Sequence, residues 1–134
     1  MPVRTADGSG YDRRAVHHKS LNILIVEAGD DRARELVRLL GTDGHTVARA
    51  GTLAEAHVLC EVGRFDLLIA GHRLPDGPAC ELMADASRCN ALPGILVSGD
   101  KDARCSAEMK FKAHVTEPLD LPRLRTAIGR AVRV

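Results

Sequence analysis

Two rhythms of apolar positions alternate along this chain. Short, nearly continuous aliphatic runs occupy 21–26 (LNILIV), 66–70 (DLLIA) and 93–98 (PGILVS), with a weaker strand at 45–50 and a fifth at 111–115. Runs of this length, rich in branched residues, suit strands buried on both faces of a parallel sheet. Between them the apolar spacing becomes helical. Ala33, Leu36, Val37 and Leu40 recur at i, i+3, i+4 and i+7. Asp30 or Asp31 is placed to cap that helix, and Gly41 or Gly44 to end it. Thr52 and Glu55 have capping-box spacing, opening a helix that runs to Val62 and stops at Gly63. After a Leu74–Gly77 loop (LPDG), Ala79, Leu82, Met83 and Ala86 predict a third helical face. Asp102 opens a short fourth helix to about Lys110. Asp120, with Pro122 near the first turn, opens a fifth, with Leu121, Leu124, Ile128 and Val132 as its stripe.

Strand and helix thus alternate five times. That pattern predicts a doubly wound α/β unit, (βα)5, with a parallel five-stranded sheet in the order 2-1-3-4-5. Ligand chemistry on such a sheet belongs beyond the carboxyl ends of the strands. Those ends are Glu27-Ala28, Gly71-His72, Ser98-Gly99 and Thr116-Glu117.

Composition narrows the classes. A chain of 134 residues fits one domain. Residues 1–20 carry glycine and scattered charge without periodicity, and read as a flexible tail before a domain at 21–134. Aromatic residues are only 2%, which disfavours stacking platforms for bases, and the net charge of +1 offers no field for nucleic acid or anionic membrane. No helix-turn-helix, P-loop or GxGxxG is present. Without a signal peptide or membrane-length apolar run, a cytoplasmic location is expected.

Cys60, Cys80, Cys89 and Cys105 have no CxxC spacing. They are expected to be mostly buried thiols, with a regulatory disulfide or thiol sensor as one alternative and a zinc site as another. His45 and His57 read as surface or partly buried residues. His17-His18 makes a poor metal site in a flexible tail. No nucleophile, base and orienting group fall together, so no catalytic residue, metal or cofactor is expected.

The ordered set ILIV, DLLIA before LPDG, ILVSG and VTEPLDL resembles the receiver domain of two-component response regulators, the CheY-like family with a flavodoxin-like fold. The likeness runs from Leu21 to about Val134. It implies an acidic pair after the first strand that helps hold magnesium, and a phosphoacceptor Asp ending the third strand. It also implies a hydroxyl after the fourth strand, a Lys before a Pro after the fifth, and a switch aromatic on the fifth. In this chain the acidic pair falls on Glu27 and Ala28, the acceptor on Gly71, the hydroxyl on Ser98, the Lys on Glu117 and the aromatic on His114.

Three of these departures act against one reaction. Gly71 has no nucleophile, Ala28 no metal-binding oxygen, and Glu117 would repel phosphate. The expectation is a pseudo-receiver that keeps the fold and has lost phosphotransfer. Rescue by His72, Asp76 or Asp100 is disfavoured: His72 should point away from Gly71's side, and Asp76 suits a helix cap or turn contact. Glu27 and Glu117 could face each other across the vacated pocket with Arg73 or His72 neutralising them, or both could simply point into water.

The family resemblance also implies an interaction face on the fourth helix, fifth strand and fifth helix. Here that face would carry Arg104, Glu108, Lys110, Lys112, His114, Arg123, Arg125 and Arg130. His114 there could titrate near neutral pH. With no output module after Val134, the expected role is contact with a signalling protein or a second copy as a homodimer. A small-molecule or thiol redox sensor, using the crevice or the cysteines, is the alternative from another class.

Overall fold

The computed structural model describes residues 20–84, 88–99 and 111–132. Strands β1 (Asn22–Val26), β2 (Thr46–Ala50), β3 (Leu67–Gly71), β6 (Gly94–Ser98) and β7 (Ala113–Thr116) form one sheet in the order β2-β1-β3-β6-β7. Every pairing in it is parallel. Helices α1 (Asp30–Thr42), α2 (Leu53–Val62) and α3 (Leu121–Ala131) accompany it. Setting aside a small hairpin, β4 (Arg73–Leu74) with β5 (Gly77–Pro78), this is the expected 2-1-3-4-5 order.

The central strands explain the missing alternation in their sequences. β3 and β6 are buried at every residue. Ile23, Ile25, Leu67, Ile69, Ile95 and Val97 face Leu36 and Leu40 of α1 and Leu124 and Ile128 of α3. Leu24, Val26, Leu68, Ala70 and Leu96 face Leu53 and Ala56 of α2. Truncating any fully buried Leu or Ile here should cost about 2–5 kcal/mol.

The third helical segment is corrected. Among the described residues only three α-helices follow the strands, so a full (βα)5 is not seen. Gly77, at a φ of 148°, turns the chain into the hairpin. The apolar stripe is then met by a 3-10 turn at Ala79–Met83 and another at Arg88–Ala91. Ala79 and Leu82, three apart, align in 3-10 geometry, so burial does not demand a longer α-helix. Ala86, the segment Asp102–Lys110, Asp100, Cys105 and residues 1–19 of the expected tail lie outside the described residues.

Local details shift as well. Gly29, not Asp30 or Asp31, caps α1, and the two acids sit in its first turn where the helix dipole favours them. Val37 is 41% exposed rather than in the core, because the α1 stripe narrows to Ala33, Leu36 and Leu40. The Glu55 carboxylate accepts from the Gly51 amide (2.6 Å), while Thr52 Oγ1 accepts from Glu55 N (3.1 Å). His45 is buried, with Nδ1 accepting from the Leu21 amide at 3.0 Å.

Asp76 is the helix cap expected of it, on a helix distant in sequence. Its carboxylate accepts from the Leu53 and Ala54 amides at 2.8 and 3.1 Å, closing the start of α2. The Leu53 amide bond lowers its pKa; slight desolvation opposes, and the Ala54 amide adds to the lowering. A depressed carboxylate stabilises the fold above its unfolded pKa and loses that effect as pH falls through the folded value. Asp76→Ala should therefore lower Tm by about 3–6 °C near neutral pH, with the difference closing as pH falls below the ordinary carboxylate range. Thermal unfolding across this range checks it.

Candidate functional site

The carboxyl ends of β1, β3, β6 and β7 converge on Glu27, Gly71, Ser98 and Glu117. Glu27 directly follows β1, and its amide donates to Ala50 O at 3.0 Å. It is only 6% exposed. Its Oε2 accepts from the Gly29 amide at 2.8 Å, and its Oε1 from Arg32 Nη1 at 3.4 Å. Arg49 on β2 clamps the same turn, donating to Glu27 O (2.9 Å) and Ala28 O (3.2 Å) and pairing with Asp30 at 3.1 Å.

The Glu27 carboxylate lies where a side chain on residue 71 would begin. A Cβ on Gly71 would collide with Glu27 Oε1 and stand 3.0 Å from its Cδ. Gly71 therefore lacks an acceptor oxygen and also gives up the space for one. Gly99 plays a related part: a Cβ there would lie 2.8 Å from Glu117 Oε1 and 3.1 Å from Arg32 Nη2.

Arg32, in the first turn of α1, joins the two acids. Its Nε donates to Glu117 Oε2 at 2.9 Å while Nη1 reaches Glu27. The Glu117 hydrogen bond raises the guanidinium pKa; burial opposes it, and the charges of Glu27 and Glu117 reinforce it. The two carboxylates are thus brought together around one cation. The neutralising residue is Arg32, whereas Arg73 is exposed in the hairpin. Arg32 was not among the residues expected here, because a basic residue at a helix start is indistinguishable in sequence from a solvated charge.

Magnesium does not fit this donor set. Glu27 is engaged by an amide and a guanidinium, Ala28 and Gly71 offer no side-chain oxygen, and Glu117 is held by Arg32. No group of three or more His, Cys, Asp or Glu suited to a metal occurs among the described residues. Ser98 is buried, and its carbonyl accepts from the Glu117 amide at 3.0 Å.

The expected interaction face divides. Arg104 and Lys110 lie outside the described residues. Lys112 is exposed. Arg123 donates to Pro118 O (2.8 Å) and Thr116 Oγ1 (3.1 Å), and Arg125 grips Asp43 with a shortest contact of 2.6 Å. Both arginines are thereby engaged in securing α3. His114 lies beside Leu96 in register, with Nε2 buried and unpaired. Burial pushes its pKa down, and the nearby His72 charge adds to this. A groove of about 290 Å³ runs between β7 and α3, lined by His114, Pro122, Thr126 and Arg130 among others.

No family model matches the sequence. The chain is 28% identical over 115 residues to the KDP operon transcriptional regulatory protein KdpE of Escherichia coli K12, covering 84% of this chain. That match takes in 51% of KdpE, so the chain spans about half the length of this curated relative. A CheY-like response regulator receiver domain protein from Methanospirillum hungatei superposes with a TM-score of 0.74 at 23% identity, over 85% of this chain and 94% of that one. The fold is that of a response regulator receiver domain. A two-component response regulator from Clostridium difficile shares it, with a TM-score of 0.75 at 19% identity over 86% of this chain and 97% of that one.

The bridge at Arg32 has a measurable worth. Glu27 is nearly buried, so removing its cation leaves a poorly compensated charge, while the partly exposed Glu117 arm contributes less. Arg32→Met should destabilise by about 1–3 kcal/mol and Glu117→Lys by about 1 kcal/mol in urea unfolding. Unchanged midpoints in both variants would mean the bridge holds nothing.

Proposed function

We propose that this receiver domain serves two-component-type signalling without aspartyl phosphorylation, as a protein-interaction module. The observation that carries the reading is the Glu27 carboxylate in the space of the residue 71 side chain, bound through Arg32 to Glu117. A phosphorylatable pocket needs an acceptor, a hard cation and a positive group for the transferred oxygens. Here a glycine stands at the acceptor position, and a guanidinium already neutralises the acids that remain. The bridge ties β1, α1 and the β7–α3 connection together, and a pocket so occupied favours one conformation over a phosphoryl-driven pair.

Signalling then depends on contact. The partner in this reading is a signalling protein or a second copy of the chain, met through the face of β7 and α3. The groove beside His114 and the exposed Lys112 and Arg130 support that face. Neither an enzymatic activity nor a nucleic-acid interface is part of this proposal. A cytoplasmic location is, and no described helix is long and apolar enough to cross a membrane.

Intact mass after incubation with acetyl phosphate and magnesium, with amide NMR in magnesium and beryllofluoride, tests the reading. The expected result is no phosphoryl mass and no localised shifts at Glu27, His72 or Ser98. A stable phosphoryl adduct, or shifts confined to those residues, would overturn it.

A further inference from the structure

Cys60 and Cys89 are 29 positions apart, yet their Sγ atoms lie 2.6 Å from each other. Cys60 is on the last turns of α2, half-buried, and Cys89 is in the second 3-10 turn, fully buried. The second turn exists here because the chain after β3 runs through a hairpin and short turns. That path lays Cys89 against α2, with its sulfur 3.6 Å from Ala56 O. The structure holds both residues as thiols. Two elements of the sheet's α2 face are thus joined by a sulfur–sulfur contact that needs little motion to become covalent.

The pair also has an entrance. A surface pocket of about 320 Å³ opens beside Cys60, lined by Gly63, Arg64, Phe65, Asp66, Ala91 and Leu92 as well as Cys60 itself. A small disulfide can approach Cys60 from this side, while Cys89 lies behind it. The geometry therefore separates an attacking sulfur from a resolving one.

We propose that Cys60 and Cys89 are an intramolecular dithiol–disulfide site, oxidised by exchange with a low-molecular-weight disulfide. The Cys60 thiol gives its proton to solvent, and its thiolate attacks one sulfur of the small disulfide. That S–S bond breaks, and the departing thiolate takes up a proton. Cys89, deprotonated in turn, attacks Cys60 Sγ of the mixed disulfide and releases the second small thiol. The two cysteines lose two electrons and two protons overall, and the small disulfide is reduced to two thiols. The shared hydrogen bond with Cys89, followed by burial, raises the Cys60 pKa, so the exchange is slow at neutral pH and quickens as pH rises. This site is independent of the phosphorylation reading: it lies on α2 and the turn, away from the Arg32 bridge.

The test uses the full chain equilibrated with oxidised glutathione, then unfolded and alkylated. The expected product is a monomer two hydrogens lighter, with two alkylated thiols instead of four and a non-reducing peptide joining Cys60 to Cys89. Its Tm should exceed that of the reduced chain by about 10 °C, because the bond closes a long loop. Cys89→Ala should trap one glutathione on Cys60, and Cys60→Ser should abolish both the adduct and the Tm rise. The proposal is overturned by linkage through Cys80 or Cys105, by a disulfide between chains, or by four alkylable thiols after equilibration. A Tm rise that survives Cys60→Ser would also sink it.

Discussion

A carboxylate buried at the end of an apolar strand has to be neutralised, and this requirement organises the carboxyl edge of the sheet. Glu27 follows four buried residues of β1 and cannot easily leave for water without disturbing the turn that Arg49 clamps. It needs a donor amide, a cation and room. Gly29 provides the first, Arg32 the second and Gly71 the third. Once Arg32 is committed there, an acid at 117 becomes an asset and Gly99 keeps the approach open. Gly71 and Glu117, which read as separate departures from the resembled receiver pattern, become mutually consistent around one guanidinium.

The opposite end of the domain is held by another charged set. Asp43, at the end of α1, has a side chain only 5% exposed and is gripped by Arg125 of α3. His45 sits beside it and accepts the amide that starts the sheet's first strand. The two helices covering one face are therefore tied at their ends as well as through the aliphatic core. On the other face, Asp76 performs a similar service for α2 from the loop after β3. These links cross between elements that are distant in sequence, which suits a domain with few aromatic side chains to knit its layers.

Strand placement was legible because burial on both faces erases alternation, and LNILIV, DLLIA and PGILVS show this directly. α1 and α3 were legible from their stripes, and the capping role of Asp76 from its turn context, though not which helix it caps. The segment after β3 was misread because Ala79, Leu82 and Met83 satisfy 3-10 and α spacing alike over so few residues. At the site, identities were readable from the motif order, while the meeting of Glu27 and Glu117 was one of two open readings, the other placing both acids in water. Arg32 was not anticipated, since a helix-start arginine looks like any solvated charge until the sheet brings the strand ends together. Cys60 and Cys89 were invisible as a pair for the same reason: their proximity is a product of a tertiary path.

The occupied volume at Gly71 couples that position to its neighbours. Placing an aspartate there would set its first side-chain carbon on the Glu27 carboxylate, so the substitution has no room to act alone. Glu27 would have to swing away, which would release Arg32, which would in turn leave Glu117 unpaired. Changes at positions 27, 32, 71 and 117 would therefore not add independently, because each of these residues sets the space or the charge that another needs.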